Sequence, residues 1–509
     1  MKLIVLFTMF LFAATYSSSA QEMPLETQPT IWLRADMVGS NPNQWQNQAD
    51  SMHHAYRLGQ LGLPDTTVLN FQKAFDINSG SNPFVISDFY PSSSDKYTLF
   101  TVYQSTDTIS EYGLWSMQLD SNTNIKLSTT KIKNTKKYNR YSTMGSMIPI
   151  INYSTQSWRR INIDSNMCSF KIAGTDSFEL EGKFAEFIAF NDKIKRIDNE
   201  KVHTYLSLKY GIGFYFLNYV NSQDTIIWDY KKNLDYQYDV VGLGRDDSLG
   251  IYQKQTAAEG GQSDLLMYMG NIVDMNNNNV STLDNFNFVL YGHNGDSLNQ
   301  FDLDTNNIQG FPYLMSRKWK IRTTGNTIQN KKCNVQYHYQ DMDTAHTLIL
   351  VINKLGNEVF DPNECEIIYP NNIDSINKTY TYKNIKWDKD NSGSDVFTFM
   401  RTSSSSQNQR LTQGSNINDE EIDNESEQQY FDYSLAPNPS EGRFRLTISS
   451  NTKQSIRMII YDINGKEMLR EQYSGSNEYF IEKTISVSGT YLISLQGENE
   501  TKSVKLIIN

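Results

Sequence analysis

The sequence predicts an all-β protein, and two observations carry that prediction. The 509 residues include 31 tyrosines and 25 phenylalanines, and aromatic side chains favour strands. Short segments throughout the chain alternate apolar and polar residues with a period of two, which is typical of strands with one buried face. Apolar residues at helical spacing are scarce by comparison.

The N-terminus carries the features of a signal peptide over residues 1–20. Lys2 precedes the apolar run Leu3–Ala14, and the small residues Ser18–Ala20 offer a cleavage site before Gln21. The apolar run is shorter than the roughly twenty residues that span a bilayer. No later run approaches that length, so we expect an exported protein without a transmembrane segment.

Residues 28–213 form the first predicted domain, which opens with Trp32–Asp36. Near its end, the strand pattern that closes with Ala189–Asn191 leads into the single convincing helix, which continues into Tyr205–Ile212. We expect Asp198 or Asn199 to cap this helix and Gly211 to end it. These two ends resemble the concanavalin A-like (laminin-G-like) domain of surface proteins, which implies a jelly-roll β-sandwich.

Residues 214–402 form a second β-rich domain. Its segments Val240–Asp247, Leu290–Asn294 and Arg317–Ile321 resemble an uncharacterised domain that follows the laminin-G-like unit in cargo of the type IX secretion system. That resemblance implies no activity. Residues 403–429 are rich in serine and acidic residues and lack apolar periodicity, so we predict a disordered linker.

Residues 430–509 predict a small Ig-like β-sandwich, because four runs alternate over a short length. The inward-facing residues are Phe444, Leu446, Ile448, Ile456, Met458, Ile460, Tyr491, Ile493, Leu495, Val504, Leu506 and Ile508.

This module resembles the type A C-terminal sorting domain of type IX secretion cargo. The residues that carry the resemblance are Pro437, Asn438, Pro439, Gly442, Gly465, Gly489, Tyr491 and Lys505. The resemblance implies the type IX secretion machinery as a partner, and a location outside the cell or on its outer surface.

Carboxylates in the first domain must be considered as catalytic residues, because some glycoside hydrolases also have the concanavalin A-like fold. Glu179, Glu181 and Glu186 lie close together in the sequence. Retaining hydrolases of that fold carry a Glu-x-Asp-x-Glu or Glu-x-Asp-x-x-Glu pattern on one strand. Here the aspartate between the glutamates is missing, and Glu181 and Glu186 fall on opposite faces of a strand. We therefore predict a non-enzymatic protein, with Glu186 as a structural acid whose replacement by glutamine changes stability modestly.

A ligand surface is predicted in the first domain, at Tyr138, Arg140, Tyr141 and Trp158. Aromatic rings stack on the apolar faces of sugars, although a core position is favoured for each of these aromatic residues, as it is for Trp45 and Trp115.

Calcium is the one metal that the sequence suggests. Asp388, Asp390 and Ser392 are spaced like the start of a calcium loop, but the bidentate acid at position twelve is missing. The alternative is an acidic turn before a strand.

The formal net charge of −11 argues against nucleic acid as a partner. Of the three cysteines, Cys333 and Cys365 either form a bridge or remain buried thiols. Together these observations predict a non-catalytic secreted or surface protein that binds glycans or extracellular proteins. A purely structural module and a glycoside hydrolase are the alternatives.

Overall fold

The computed structural model describes residues 23–509 except residues 60, 79, 88–96, 108–109, 119–123, 135–136, 141–149, 155–168, 176–178, 299, 304–312, 343–345, 404–430, 463–466 and 498–500. The chain divides into two compact units, residues 1–411 and 412–509. Strands predominate, which confirms the all-β class. No helix in the described ranges is both long and apolar enough to cross a membrane. Most of the predicted linker lies outside the described residues.

Two sheets form the N-terminal part of the first unit. The strands of one sheet are Ile150–Ser154, Thr98–Ser105, Gly182–Phe190, Gln72–Ile77 and Thr66–Leu69, with Ile31–Arg34 paired to Gly182–Phe190. The strands of the other are Lys137–Arg140, Lys131–Asn134, Asn124–Ser128, Gly113–Gln118, Ser169–Ile172, Phe84–Ser87, Ala55–Arg57 and Gln44–Trp45. Trp45 and Trp115 are fully buried in a core to which both sheets contribute, as predicted.

The second part of the first unit is also built mainly from two sheets. The larger contains Ile251–Gln253, Tyr238–Asp246, Asn287–His293, Trp319–Thr324, Ser394–Ser403, Tyr313–Met315, Phe301–Leu303, His346–Asn353 and Cys365–Ile368. The smaller contains Gln255–Ala257, Leu265–Tyr268, Cys333–His338, Thr379–Ile385 and Asn372–Asp374, and a separate ladder pairs Tyr219–Val220 with Ile226–Trp228. Short helical turns occupy Leu234–Tyr236, Ala258–Gly261, Asn276–Asn278 and Ile328–Asn330.

One long helix, Arg196–Tyr210, lies between these two parts. It ends as predicted, because Gly211 adopts a left-handed conformation (φ 64°) and its N–H bonds to the Ser207 carbonyl. The predicted start is wrong: the helix begins before Asp198, whose carboxylate accepts the Glu26 N–H at 3.2 Å. A single core cluster contains helix residues together with side chains from both parts. The predicted boundary after residue 213 therefore lies inside a continuous core.

A buried carboxylate, that of Glu186, joins the helix to the first sheet. Its two oxygens accept hydrogen bonds from Trp32 Nε1 at 2.5 Å, Tyr205 Oη at 2.8 Å and Tyr210 Oη at 2.7 Å. Lys209 Nζ donates a fourth at 2.8 Å. Burial raises the pKa of both tyrosines well above the usual value, so their hydroxyls stay protonated and can donate.

Lys209 also bonds to Asp36 at 3.1 Å, and Arg34 forms a two-point contact with the same carboxylate at 3.2 and 2.9 Å. Burial alone would raise the pKa of Asp36, but the charges of Lys209 and Arg34 hold it well below its usual range. Glu186, Lys209, Asp36 and Arg34 thus form a buried ion network. It connects the opening Trp32–Asp36 segment, the Gly182–Phe190 strand and the helix.

A second contact between the two parts is made by the turn at Asn70, which inserts between the helix end and the second domain. The Asn70 side chain donates to the Lys209 carbonyl and to Thr256 Oγ1, both at 3.1 Å, and accepts the Ala257 N–H at 3.1 Å. Its backbone N–H bonds to the Gly260 carbonyl at 2.8 Å. A buried amide with this many partners fixes the separation of the two parts at this point.

The acidic turn at Asp388 is held by protein donors. Asp388 is buried, and its carboxylate accepts from Thr323 Oγ1 at 2.6 Å and from the Gly393 N–H at 2.7 Å. Asp390 accepts the Ser392 N–H at 3.1 Å, which closes an Asx turn. The Asp388 N–H donates to Asp395 Oδ2 at 2.6 Å, whereas the buried Oδ1 of Asp395 has no hydrogen-bond partner in the described structure.

Cys333 and Cys365 are both free thiols, so the bridge between them is not formed. They lie on strands of different sheets. Burial raises the pKa of each to about 12, which makes both thiols unreactive. Cys168 lies outside the described residues.

The second unit consists of one set of antiparallel strands. They are Phe431–Ala436, Arg443–Asp462, Glu467–Thr484, Gly489–Gln496 and Thr501–Ile508. All the residues that were predicted to face inward belong to its core, with Val504 only partly buried. The alternation therefore identified the buried face correctly.

We expect Glu186→Gln to destabilise the first unit by about 3–5 kcal/mol, more than the modest change predicted from the sequence. The substitution keeps the shape but removes one charge of a buried ion network, which leaves Lys209 poorly compensated. Urea unfolding measures the change, with the less buried Glu181→Gln as the matched control. A loss below about 0.5 kcal/mol, typical of surface changes, would contradict the role of the network.

A pH-dependent stability is expected from Asp395. Burial raises its pKa from 3.8 to about 7, so the folded state binds this proton more tightly than the unfolded chain. The resulting stabilisation is complete below about pH 4 and is lost as the pH rises through about 7. Relative to wild type, Asp395→Asn should therefore gain unfolding free energy across this range. Urea unfolding at several pH values tests this, with the exposed Asp341→Asn as control; parallel profiles for wild type and Asp395→Asn would refute it.

Candidate ligand-binding surface

The ligand residues predicted in the first domain are only partly described by the structure. Tyr138 and Arg140 lie on the strand Lys137–Arg140, at one end of the second sheet. Their side chains, and the whole of Tyr141 and Trp158, lie outside the described residues. Ligand contact at these four residues stays a prediction.

The predicted calcium residues lie together in the acidic turn, but their oxygens already accept protein hydrogen bonds. Across the described part of the chain, no three His, Cys, Asp or Glu side chains are grouped so that they could hold a metal ion. Calcium binding at Asp388, Asp390 and Ser392 stays a prediction that these contacts do not favour.

A different surface, in the second domain, combines exposed aromatic rings with charged side chains. We call it the aromatic-acidic surface, and its residues are Tyr215, Phe216, Tyr238, Asp239, Glu259 and Arg317. Tyr215 and Phe216, which follow the buried helix, are 47% and 65% exposed.

The rings of this surface form a short row that ends on a histidine. Tyr215 packs edge-on against Tyr238 with ring centroids 5.9 Å apart, and Tyr238 stacks on His293 at 5.7 Å. His293 Nδ1 accepts the Gly295 N–H at 2.9 Å, so the opposite nitrogen, Nε2, carries the proton and bonds to Asp239 at 2.9 Å. Burial lowers the pKa of His293, consistent with a neutral ring. The row is therefore anchored to the second domain.

Three residues of the surface have a left-handed backbone. The φ angles are 63° at Phe216, 50° at Asp239 and 53° at Glu259. Such conformations cost about 1–2 kcal/mol per non-glycine residue, and they concentrate at functional sites. Here the conformation occurs at one aromatic residue and at two acidic residues of the second domain.

The charged groups of the surface influence one another. The pKa of Tyr215 is raised to about 12 by burial and by the nearby charges of Asp239 and Glu259. Burial and the Asp239 charge raise the pKa of Glu259, and Arg317 partly opposes them. Burial lowers the pKa of Arg317, and its Nε donates to the Asp296 carbonyl at 2.6 Å. The carboxylates, the guanidinium and the tyrosine hydroxyl thus offer acceptors and donors beside exposed rings.

Sequence reasoning missed this surface because its residues come from four separate segments. Two signals were nevertheless available. The run Phe214–Phe216 follows directly after the helix and carries consecutive aromatic residues. Glu259 precedes two glycines, a combination that favours an irregular turn.

The sorting segment around Asn438 is hydrogen-bonded to the last strand of the second unit, Thr501–Ile508. Asn438 Nδ2 donates to the Lys505 carbonyl at 2.6 Å, and its Oδ1 accepts the Ile507 N–H at 2.9 Å. The Ser440 N–H bonds to the Ile507 carbonyl at 2.9 Å. Pro437 and Pro439 flank Asn438 in the same segment.

The other sorting residues have separate positions in the second unit. Gly442 adopts a φ of 108°, and an added Cβ would lie 2.9 Å from the Ile485 carbonyl oxygen. The Tyr491 hydroxyl donates to the Val487 carbonyl at 2.8 Å, while Gly489 begins the same strand. Gly465 lies outside the described residues.

Comparison with known families gives two matches. Residues 434–509 match the secretion system C-terminal sorting domain, and residues 198–392 match a domain of unknown function, DUF8202. The second match begins within the helix, in agreement with the continuous core on both sides of it. No curated protein matches the sequence. The laminin-G-like resemblance of residues 28–213 stays a prediction.

Similarity to solved structures is weak. Dimeric latent PorU from Porphyromonas gingivalis is 7% identical over 94% of this chain and 34% of its own, with a TM-score of 0.18. The β-glucuronidase of Bifidobacterium dentium is 6% identical over 35% of this chain and 39% of its own, with a TM-score of 0.15. The BSP domain of a biofilm associated protein is 10% identical over 87% and 80%, with a TM-score of 0.16. Scores this low carry no argument about fold or activity.

The sorting-domain match confirms the interpretation of the C-terminal residues, and it supports type IX secretion. It indicates that the protein is exported to the outer cell surface or into the medium.

Proposed function

We propose that this exported protein is a non-catalytic glycan-binding protein, and that the aromatic-acidic surface contacts the glycan. The observation that carries the proposal is the combination at one surface of exposed rings, Tyr215 and Phe216, with carboxylates in left-handed backbone. Export places such a surface among the polysaccharides outside the cell. The predicted laminin-G-like character of residues 28–213 agrees with this role.

The chemistry of the surface suits a sugar. A pyranose has an apolar face of C–H groups, which an exposed ring covers, and hydroxyl groups around its edge. The Asp239 and Glu259 carboxylates accept hydrogen bonds from such hydroxyls, and the Arg317 guanidinium donates to them. Because Tyr238 and His293 buttress Tyr215 from behind, the ring is held in place before the ligand arrives, which lowers the entropic cost of binding.

Glycoside hydrolysis is the alternative function, because the surface also contains carboxylates. Hydrolases pair an acid of raised pKa with a second carboxylate, and the pKa of Glu259 is raised by burial and by the charge of Asp239. Release of reducing sugar from a bound glycan, abolished by Glu259→Gln, would replace the binding proposal with a hydrolase. Binding without release supports the proposal.

We expect Tyr215→Ala combined with Phe216→Ala to weaken glycan binding at least tenfold while the melting temperature changes little. Phe216 is 65% and Tyr215 47% exposed, and neither belongs to a buried core cluster, so their removal costs little core packing. A glycan array with the full chain identifies the ligand, and titration of that glycan measures the loss. Tyr369→Ala is the matched control, since this tyrosine is 45% exposed and lies outside the surface. Unchanged affinity in the double variant would refute the assignment, and absence of any ligand would favour a structural module.

Export should depend on Asn438. Asn438→Ala removes both hydrogen bonds to the last strand, which we expect to destabilise the sorting domain by about 1–3 kcal/mol. The exported fraction should fall and the periplasmic fraction rise in cell fractionation. Val487→Ala, at a 65% exposed position of the same domain, is the control. Normal export of the Asn438 variant would show that these contacts do not support sorting.

A further inference from the structure

Ring contacts extend the exposed pair Tyr215 and Phe216 in both directions. The ring centroids of Tyr238 and Tyr215 are 5.9 Å apart, and those of Tyr215 and Phe216 are 6.4 Å apart. The Tyr230 ring follows at 6.5 Å from Phe216. Apart from the stacking of Tyr238 on His293, each of these rings contacts only its neighbours in this order among the described rings. The contacts therefore follow a line, and we call these four residues the aromatic row.

Both ends of the aromatic row are held by the second domain. At one end, Tyr238 stacks on His293, and an added Cβ at Gly295 would lie 2.6 Å from the tyrosine ring. At the other end, the Tyr230 N–H donates to Asn218 Oδ1 at 3.3 Å. Both end tyrosines are half-buried. The row is therefore supported at its ends and most exposed at its centre.

The two middle rings leave the core on a supported segment. Phe214, directly before them, stacks on Tyr219 with ring centroids 4.2 Å apart and packs against the core that contains the helix. Phe216 then adopts a left-handed backbone at φ 63°. The rings of Tyr215 and Phe216 are thus presented to solvent within two residues of a packed anchor, which limits the entropy that binding removes.

Neighbouring rings of the aromatic row are steeply inclined to one another. Along the row from Tyr238 to Tyr230, the interplanar angles are 76°, 48° and 88°. A flat surface can therefore lie against the face of only one ring at a time. The aligned chains of a crystalline polysaccharide present such a flat surface. A single glycan chain can instead rotate about its glycosidic bonds and offer successive C–H faces to differently inclined rings.

We propose that the aromatic row binds one free glycan chain along several consecutive sugar units, and that it excludes the flat face of a crystalline polysaccharide. This inference rests on the proposed glycan-binding function and adds the class of the ligand, a linear glycan chain free of crystal packing. Tyr215 and Phe216 supply the central contacts, and Tyr230 extends them to a further sugar unit.

The first test measures how affinity depends on chain length. Soluble β-1,4-linked oligomers of glucose and of N-acetylglucosamine, from the dimer to the hexamer, are titrated calorimetrically into the full chain. In a series that binds, we expect the hexamer to bind about tenfold more tightly than the dimer, which corresponds to about 1.4 kcal/mol. Tyr230→Ala should remove much of this gain while the dimer still binds. Tyr230→Phe keeps the ring and should preserve the gain, as should Tyr369→Ala, at an exposed tyrosine outside the row.

The second test compares two physical forms of the same polymers, cellulose and chitin, in a sedimentation assay. We expect the full chain to sediment with the amorphous, swollen form, whose chains are free, and to remain in solution with the crystalline form. The soluble hexamer should displace the protein from the swollen polymer. Tyr215→Ala combined with Phe216→Ala should abolish sedimentation with the swollen polymer.

The outcomes separate this inference from the proposed function. Equal affinity for dimer and hexamer overturns binding along several sugar units and leaves glycan binding intact. Sedimentation with the crystalline form as complete as with the swollen form overturns the exclusion of flat surfaces. Failure of both oligomer series to bind overturns this inference, and only together with an empty glycan array does it overturn the proposed function as well.

Discussion

The first unit depends on the buried attraction between Lys209 and the carboxylates of Glu186 and Asp36. Burial of these three charges is costly, and close pairing offsets the cost only when every partner is present. The helix supplies the lysine, the Gly182–Phe190 strand supplies one acid and the opening segment supplies the other. Because removal of any one group leaves an uncompensated charge, the network selects a single arrangement of the three elements.

The position of the helix in turn determines where the aromatic-acidic surface forms. Gly211 ends the helix in a left-handed conformation, and an added Cβ at this residue would lie 2.3 Å from the Ala257 carbonyl oxygen. The chain therefore leaves the helix directly beside the second domain. Tyr215 follows four residues later and reaches the ring of Tyr238. The Asn70 turn bonds both to the helix end and to the segment before Glu259, so the surface is supported from two sides.

In the sorting domain, both edges of the terminal strand Thr501–Ile508 are hydrogen-bonded. Thr501–Ile508 pairs along one side with Gly489–Gln496. Asn438 and Ser440 satisfy backbone groups on the other side. An unpaired strand edge is prone to association with other chains. The sorting segment therefore covers an edge that would otherwise be open, in addition to any contact it makes with the secretion machinery.

The sequence by itself determined the features that depend on local pattern. Alternation identified the buried face of the sorting domain, and Gly211 identified the end of the helix, because each depends on side-chain period or on backbone conformation within a few residues. The motif Trp32–Asp36 was recognised as a marker, and Glu186 as a structural acid. Only the tertiary structure showed that they form one ion network, since residues more than 150 positions apart meet there. The tertiary structure also showed that the helix packs against both parts. It showed that the helix begins at Arg196, before the start predicted at Asp198. Exposure of Tyr215, Phe216 and Glu259 was equally a tertiary outcome: the side chains of the surface come from distant segments, and whether a ring is packed or free depends on the neighbours that the whole fold brings to it.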